Sequence, residues 1–148
     1  NFSNALLISS DFSNSELRNC DFSHCNLNGI NFNRAKLVNV KFHKAELYGA
    51  TFHNSKMQNS DLLRANLDNC EFIDAEIEVS KFEDTFLRCS NLFKAKFKAC
   101  NFLNSDFTNA NLEKAYFERS DFNLIIGSNT ILNIETAEFI ASVNFPNT

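Results

Sequence analysis

Large apolar residues stand at every fifth position along most of the chain: Phe2, Leu7, Phe12, Leu17, Phe22, Leu27, Phe32, Leu37, Phe42, Leu47, Phe52, Met57, Leu62, Leu67, Phe72, Ile77, Phe82, Leu87, Leu92, Phe97, Phe102, Phe107, Leu112, Phe117 and Phe122. No insertion or deletion interrupts the series. Two residues before nearly every centre is a small residue, such as Ala5, Ser10, Cys20 or Ala35, with Ile30, Val40 and Thr85 the larger exceptions. The other three positions of each five are mostly polar, as in "NFNRAKL" at 31–37. A period of five matches neither the 3.6 of a helix nor the 2 of a strand. Two inward positions in five suit a chain that turns a corner at every repeat.

The phrases "RANLD" at 64–68 and "NANLE" at 109–113 show the A(D/N)LXX pattern. The chain resembles the pentapeptide repeat family over residues 1 to about 124. The resemblance implies an all-β fold, a right-handed quadrilateral β-helix. Four repeats would make each coil of about 20 residues, at the short end of the repeat lengths that solenoids stack. About six such coils would follow one another, with the large and small residues filling the interior.

Coil length is testable on charge. Residues 20 apart would stack at the ~4.8 Å spacing of neighbouring strands, so opposite charges should favour that separation. Charged pairs 20 apart within 1–124 are opposite in eleven cases and alike in three. At 15 apart the numbers are four and six, and at 25 apart seven and four. Twenty wins. Like also stacks on like: Phe2, Phe22 and Phe42 form one interior column, and Leu7, Leu27 and Leu47 another. Each buried Phe or Leu contributes roughly 1.5–3 kcal/mol, and six coils make a rod of roughly 30 Å.

Composition agrees. The 148 residues include 17 Phe but no Trp, one Pro and three Gly. A chain that turns without Gly and Pro needs a repeating corner that ordinary residues tolerate. Asn1 already sits inside the repeated phrase, from which we expect a fragment of a longer chain. After Phe122 the rhythm fails, because Gly127 occupies the next centre and Ile125 and Ile126 are too large for their slots. We divide the chain into a repeat region, 1–124, and a C-terminal segment, 125–148. An open solenoid end needs a cap. Residues 131–145 fit either a short amphipathic capping helix, with Leu132, Phe139, Ile140 and Val143 on one side, or a degenerate last coil. For the latter, "AEFIA" at 137–141 matches the repeat shifted by two.

Candidate chemistry is sparse. Cys20, Cys25, Cys70 and Cys100 fall in the small inward slot, as core thiols; only Cys89 faces outward. An odd count without CxxC spacing favours neither a disulfide framework nor zinc, and such usage fits a reducing compartment. His43 and His53 fall on opposite sides of the square, while His24 and His43 are diagonal neighbours one coil apart. No nucleophile–base arrangement and no glycine-rich phosphate loop is present, so we expect no catalytic, cofactor or metal site. An acidic run at 68–84 is followed by a basic one at 88–98. In coils these neutralise each other: Asp68 meets Arg88, Asp74 meets Lys94, Glu76 meets Lys96 and Glu78 meets Lys98. With a net charge of −4, neither nucleic acid nor an anionic membrane is the favoured partner, and no apolar run approaches the ~20 residues of a membrane span.

Outward apolar residues are the better lead. Ile73 and Phe93 share one outward slot, Leu63 and Leu103 another, and Phe86 lies on an adjoining face. Exposed apolar side chains in a polar shell mark interaction sites. The first expectation is therefore a non-catalytic scaffold or protein-binding module. The resemblance implies bacterial origin and a place in a larger protein such as a secreted effector, in the cytoplasm or delivered to a host cell, with any catalysis in flanking domains. A second reading, from family members resembling quinolone-resistance proteins, is a DNA mimic acting on DNA gyrase. A third is a purely structural spacer.

Overall fold

The computed structural model describes residues 1–127 and 131–142. The backbone winds as a square solenoid of about six turns. Its four sides are centred on the columns that begin at Phe2, Leu7, Phe12 and Leu17, here called sides one to four. Side four carries all the regular strands: β1 (Glu16–Arg18), β2 (Lys36–Val38), β3 (Lys56–Gln58), β4 (Glu76–Glu78), β5 (Lys96–Lys98), β6 (Tyr116–Glu118) and β7 (Glu138–Ile140). They form one parallel sheet in chain order. From β1 to β6 each residue pairs with the one a full four-repeat coil later, Leu17 against Leu37 and Ile77 against Phe97. The other sides are joined by isolated parallel bridges at the same spacing, such as Asn26 to Glu46 and Asn31 to Thr51.

The corner explains the composition. The second residue after each centre has positive φ, from Asn4 at 64° to Leu124 at 57°. This left-handed conformation costs an L-residue roughly 1–2 kcal/mol, and Asn tolerates it best after Gly. Asn4, Asn14, Asn19, Asn39, Asn54, Asn59, Asn69, Asn104 and Asn109 all occupy it. Arg34, Lys44, Val79, Cys89, Ala99 and others take the same conformation, so the corner is one that ordinary residues tolerate, with Asn the most frequent occupant.

Sides one to three share a turn. The small residue's N–H donates back to the centre's carbonyl, as Ala5 to Phe2 at 2.9 Å and Ala35 to Phe32 at 3.0 Å. The Asp or Asn before the centre accepts from the N–H just after it: Ser13 to Asp11 at 2.8 Å, Asn33 to Asn31 at 2.9 Å, Leu63 to Asp61 at 3.0 Å. That local bond is why the repeat prefers a short acidic or amide side chain there.

Side four differs. Its residues before the centre are Glu16, Lys36, Lys56, Glu76, Lys96, Tyr116 and Glu138, with no Asp or Asn among them, and the backbone runs on as strand. The amide of the small residue is then free to bond outward. Val40 N–H donates to Ser60 Oγ at 3.3 Å, Ser60 N–H to Ser80 Oγ at 3.2 Å, Cys100 N–H to Ser120 Oγ at 3.3 Å and Ser120 N–H to Ser142 Oγ at 3.2 Å. The column is Cys20, Val40, Ser60, Ser80, Cys100, Ser120, Ser142, and serine hydroxyls hold four of its corners.

The interior is a set of aromatic stacks. Along the axis the rings lie nearly parallel: Phe2 on Phe22 at 4.8 Å and 3°, Phe52 on Phe72 at 4.7 Å and 3°, Phe97 on Phe117 at 5.1 Å and 7°. Between sides they meet edge to face, as Phe22 and Phe32 do at 6.0 Å and 74°. Both arrangements are favoured by the ring quadrupole. From Phe22 onward the centres are fully enclosed, whereas Phe2, Leu7, Phe12 and Leu17 in the first coil are only partly covered.

Beyond Phe122 the winding continues with added length. Ile126 still bridges to Asp106, but Leu132 bridges to Asn111 and β7 pairs Glu138 with Tyr116, so one extra residue enters on each of two sides. The chain leaves the repeat at Gly127, with φ of 77°, where a Cβ would lie 2.3 Å from Thr108 Oγ1. The capping helix considered for 131–145 does not form over the described part of that range. A single 3-10 turn, Ile134–Thr136, precedes β7, and Phe139 stacks on Phe117 at 5.0 Å and 8°. Val143 and Phe145 lie outside the described residues.

Candidate interaction faces

The outward apolar residues singled out from the sequence do not form one patch. Leu63 and Leu103 are half-buried on side one, Ile73 and Phe93 half-buried on side three, and Phe86 is 45% exposed on side two between them. Phe93 is further shielded by cations, with Lys94 Nζ 5.0 Å and Lys114 Nζ 5.7 Å from its ring centre. Such a pair covers apolar surface while keeping its charge in water.

Side two stands apart from the other three. Leu6, Ile8, Tyr48, Phe86 and Ile126 are all exposed there. Its far corner is built from Ser9, Gly29, Gly49, Asn69, Cys89 and Asn109, without a single charge. The outward charges of this side are Glu46, Asp68, Arg88 and Asp106, and two of them cancel. The largely buried Asp68 carboxylate takes Nε and Nη2 of Arg88 and its backbone N–H at 3.0 Å. That carboxylate raises the Arg88 pKa, and the guanidinium also lies 5.1 Å from the Phe86 ring centre. The sequence placed Phe86 but not its company: Leu6 and Ile126 share its outward slot, four and two coils away, and Tyr48 lies in another slot of the same side. Following that slot coil by coil gathers Leu6, Phe86 and Ile126, and sorting by side adds Tyr48.

Charges elsewhere are largely spent within the rod. Lys56 and Lys96 both reach Glu76, at 2.9 and 3.7 Å, and the Lys56 hydrogen bond leads in lowering the Glu76 pKa. Glu16 with Lys36, Arg64 with Asp84 and Lys98 with Glu118 also lie within 4.0 Å. Two expected pairs take other partners, since Lys98 turns to Glu118 and Lys94 to Phe93. Exposed pairs of this kind contribute about 0–1 kcal/mol each; their main effect is to set register.

All five cysteines are free thiols. Cys25, Cys70 and Cys100 are buried and Cys89 is exposed. Burial raises the Cys25 and Cys70 thiols and pushes Cys100 up to about 12. His24 and His43 meet edge to face at 5.7 Å. His53 Nε2 lies 2.5 Å from Glu71 Oε2, a contact between neighbouring coils that falls off the strict stacking register. Among the described residues no cluster of three or more His, Cys, Asp or Glu side chains is placed to hold a metal. Hollows on the surface are bounded by side chains of successive coils; one of about 320 Å³ lies between Phe86 and Ile126. No helix among the described residues is long and apolar enough to cross a membrane.

A family model described as a pentapeptide repeat region matches residues 1–72, and a second, for pentapeptide repeats in eight copies, matches 87–123. This chain belongs to the pentapeptide repeat proteins, and its fold is their right-handed quadrilateral β-helix. Among solved structures, a trypsin-treated variant of QnrB1, a plasmid-mediated fluoroquinolone resistance protein, is similar with a TM-score of 0.53. The two are 19% identical, over 94% of this chain and 79% of that one. Full-length QnrB1 gives 0.50 at 17% identity, over 97% and 83%. Rfr23, a pentapeptide repeat protein from the cyanobacterium Cyanothece 51142, also gives 0.50, at 14% identity over 97% and 89%. At these identities the likeness is one of fold. No curated protein sequence matches this chain.

Proposed function

We propose that this chain is a non-catalytic module that binds a protein partner through side two. One observation carries the reading. Phe86 stands 45% exposed on a backbone locked to the coils above and below, with Phe86 N–H to Ala65 O at 3.2 Å and Leu87 N–H to Asp106 O at 2.8 Å. A ring anchored there cannot retract into a core already filled by Leu67, Leu87 and Phe107. Rigid, pre-positioned aromatics of this kind act as binding anchors, since little ordering cost is incurred on docking. The repeat itself supports a scaffold role, because its interior offers no chemistry and its sides are regular. Within a larger bacterial protein, such as a secreted effector, the module would hold or space a partner while catalysis resides elsewhere. Free buried thiols suit a reducing compartment.

The test is affinity capture with wild-type protein and with Phe86→Ser, using Phe93→Ser as the internal comparison. Loss of a retained protein in Phe86→Ser, with Phe93→Ser unaffected, is the expected result. An unchanged set in Phe86→Ser removes the reading and leaves the structural spacer. The alternative of a DNA mimic acting on gyrase draws on the fold likeness to QnrB1. Against it, Asp68, Glu76 and Asp84 are each matched to a basic side chain, which breaks up the acidic run at 68–84. Unchanged gyrase supercoiling across a wide range of protein concentration excludes it.

A further inference from the structure

We infer that the hollow between Phe86 and Ile126 on side two binds an extended peptide segment in which a large apolar side chain stands next to a basic one; this rests on the partner-binding reading above. The hollow has a volume of about 320 Å³ and is bounded by Arg64, Asp84, Phe86, Asn104, Asp106 and Ile126. Phe86 and Ile126 occupy the same outward slot two coils apart, with Asp106 bridging to both. They face each other across its side chain as two apolar walls, and both are exposed.

The charges on its rim choose the partner's sign. Asp84 is saturated: Oδ1 accepts from Asn104 Nδ2 at 2.8 Å and Oδ2 from Arg64 Nε at 3.3 Å. That pairing uses the one basic group of the hollow. Asp106 is different. Its Oδ1 accepts both the N–H and the hydroxyl of Thr108, at 2.9 and 2.6 Å, which fixes the carboxylate. Among the described residues Oδ2 has no hydrogen-bond partner. Arg88 is hydrogen-bonded to Asp68 and acts on Asp106 through charge alone. One guanidinium against two carboxylates leaves the hollow one charge negative, with the uncompensated oxygen beside two apolar walls. A cation next to an apolar group satisfies both.

Size argues for a single segment and against a second copy. A rod side roughly three residues wide and six coils long offers about 10 by 30 Å, near 300 Å², whereas a stable dimer buries about 800 Å² per partner. An extended strand of about nine residues at ~3.3 Å each spans the side's length.

The experiment is selection of a phage-displayed random nonapeptide library on the full 148-residue chain, followed by binding of the winning synthetic peptide to variants. Enrichment of Leu, Met or Phe beside Lys or Arg is the expected outcome. Phe86→Ser, at an exposed position, should weaken the winner more than tenfold. Asp106→Asn keeps the Thr108 acceptor and removes the charge, and should weaken it about tenfold. Three results each overturn the inference: no enrichment, winners lacking a basic residue, or binding indifferent to Asp106→Asn. Self-association that depends on Phe86 in sedimentation equally overturns it, in favour of a second copy. If affinity capture still depends on Phe86 while the winners are not basic, this inference fails and the partner-binding reading stands. If Phe86 matters in neither assay, both fail.

Discussion

Ser55 and Ser60 look alike in the sequence, being small residues in consecutive corners, and both are about 1–2% exposed. Their replacement by Ala should move stability in opposite directions. Ser60 Oγ accepts the Val40 N–H at 3.3 Å and donates to Gln58 O at 3.3 Å. Ser60→Ala leaves the Val40 amide buried without a partner, at a cost of roughly 1–3 kcal/mol. Ser55 sits in the column of Ala35, Ala75, Ala95 and Ala115, where the amide is already satisfied, Ser55 N–H donating to Phe52 O at 3.1 Å. Its hydroxyl is buried with no hydrogen-bond partner. Ser55→Ala removes that unpaired hydroxyl and should stabilise by about 1 kcal/mol or more. The two variants should therefore differ by roughly 2–4 kcal/mol, or about 5–15 °C in Tm for a chain of this size. Thermal unfolding followed by far-ultraviolet circular dichroism measures both. If the two melt together, or Ser55→Ala is the less stable, the reasoning about the side-four hydroxyl column is refuted.

Val79 is a β-branched residue held at φ of 50°, directly above an amide ladder in which Asn39 donates to Asn19 at 3.0 Å and Asn59 to Asn39 at 2.7 Å. Val79→Asn relieves the backbone and adds a rung, and should raise stability by about 1–2 kcal/mol; a melting temperature at or below wild type contradicts this. For pH, Ser23 lowers Asp21, Lys56 lowers Glu76, and Asn104 followed by Arg64 lowers Asp84. With folded values below unfolded ones, their contribution is complete above the ordinary range near 4 and is lost as pH falls through the depressed values. Tm should hold level from pH 7 to 5 and decline below about 4; a decline that is complete by pH 5 would be inconsistent. Native protein treated with a thiol-reactive disulfide reagent should modify Cys89 first and leave Cys25, Cys70 and Cys100 untouched until unfolding, since burial holds those three as thiols. Equal rates at Cys89 and Cys100 would count against the packing.

The period of five, the four-repeat coil and every interior centre were legible in the sequence because burial acts on residue size, and size repeats. What distinguishes the four sides was written there too, less plainly. Long Glu and Lys before the centres on side four and hydroxyl or thiol residues after them recur once per coil, which a search at period five averages away. The corner's left-handed backbone was implied by the Asn surplus at the second residue after each centre. Side two was harder. Leu6, Phe86 and Ile126 share one column there, but polar residues fill the coils between them and Tyr48 lies in another slot, so the apolar residues do not stand out as a repeat. The C-terminal turn was legible as one of two alternatives, because "AEFIA" at 137–141 carries the repeat shifted by two, as β7 is; one added residue on each of two sides is what left a short helix as its rival.

A pair of deletions tests most directly whether the coil closes after four repeats and has four unlike sides. Removing residues 41–60 takes out one whole coil and rejoins every column, bringing Lys36 against Glu76 in place of the like pair Lys36 and Lys56. Removing 46–60 keeps the period of five but rotates every later coil by one side, so β4 leaves the sheet of β1 and β2. The account predicts cooperative unfolding within a few degrees of wild type for the first and loss of the cooperative transition for the second. Equal tolerance of both deletions would contradict it.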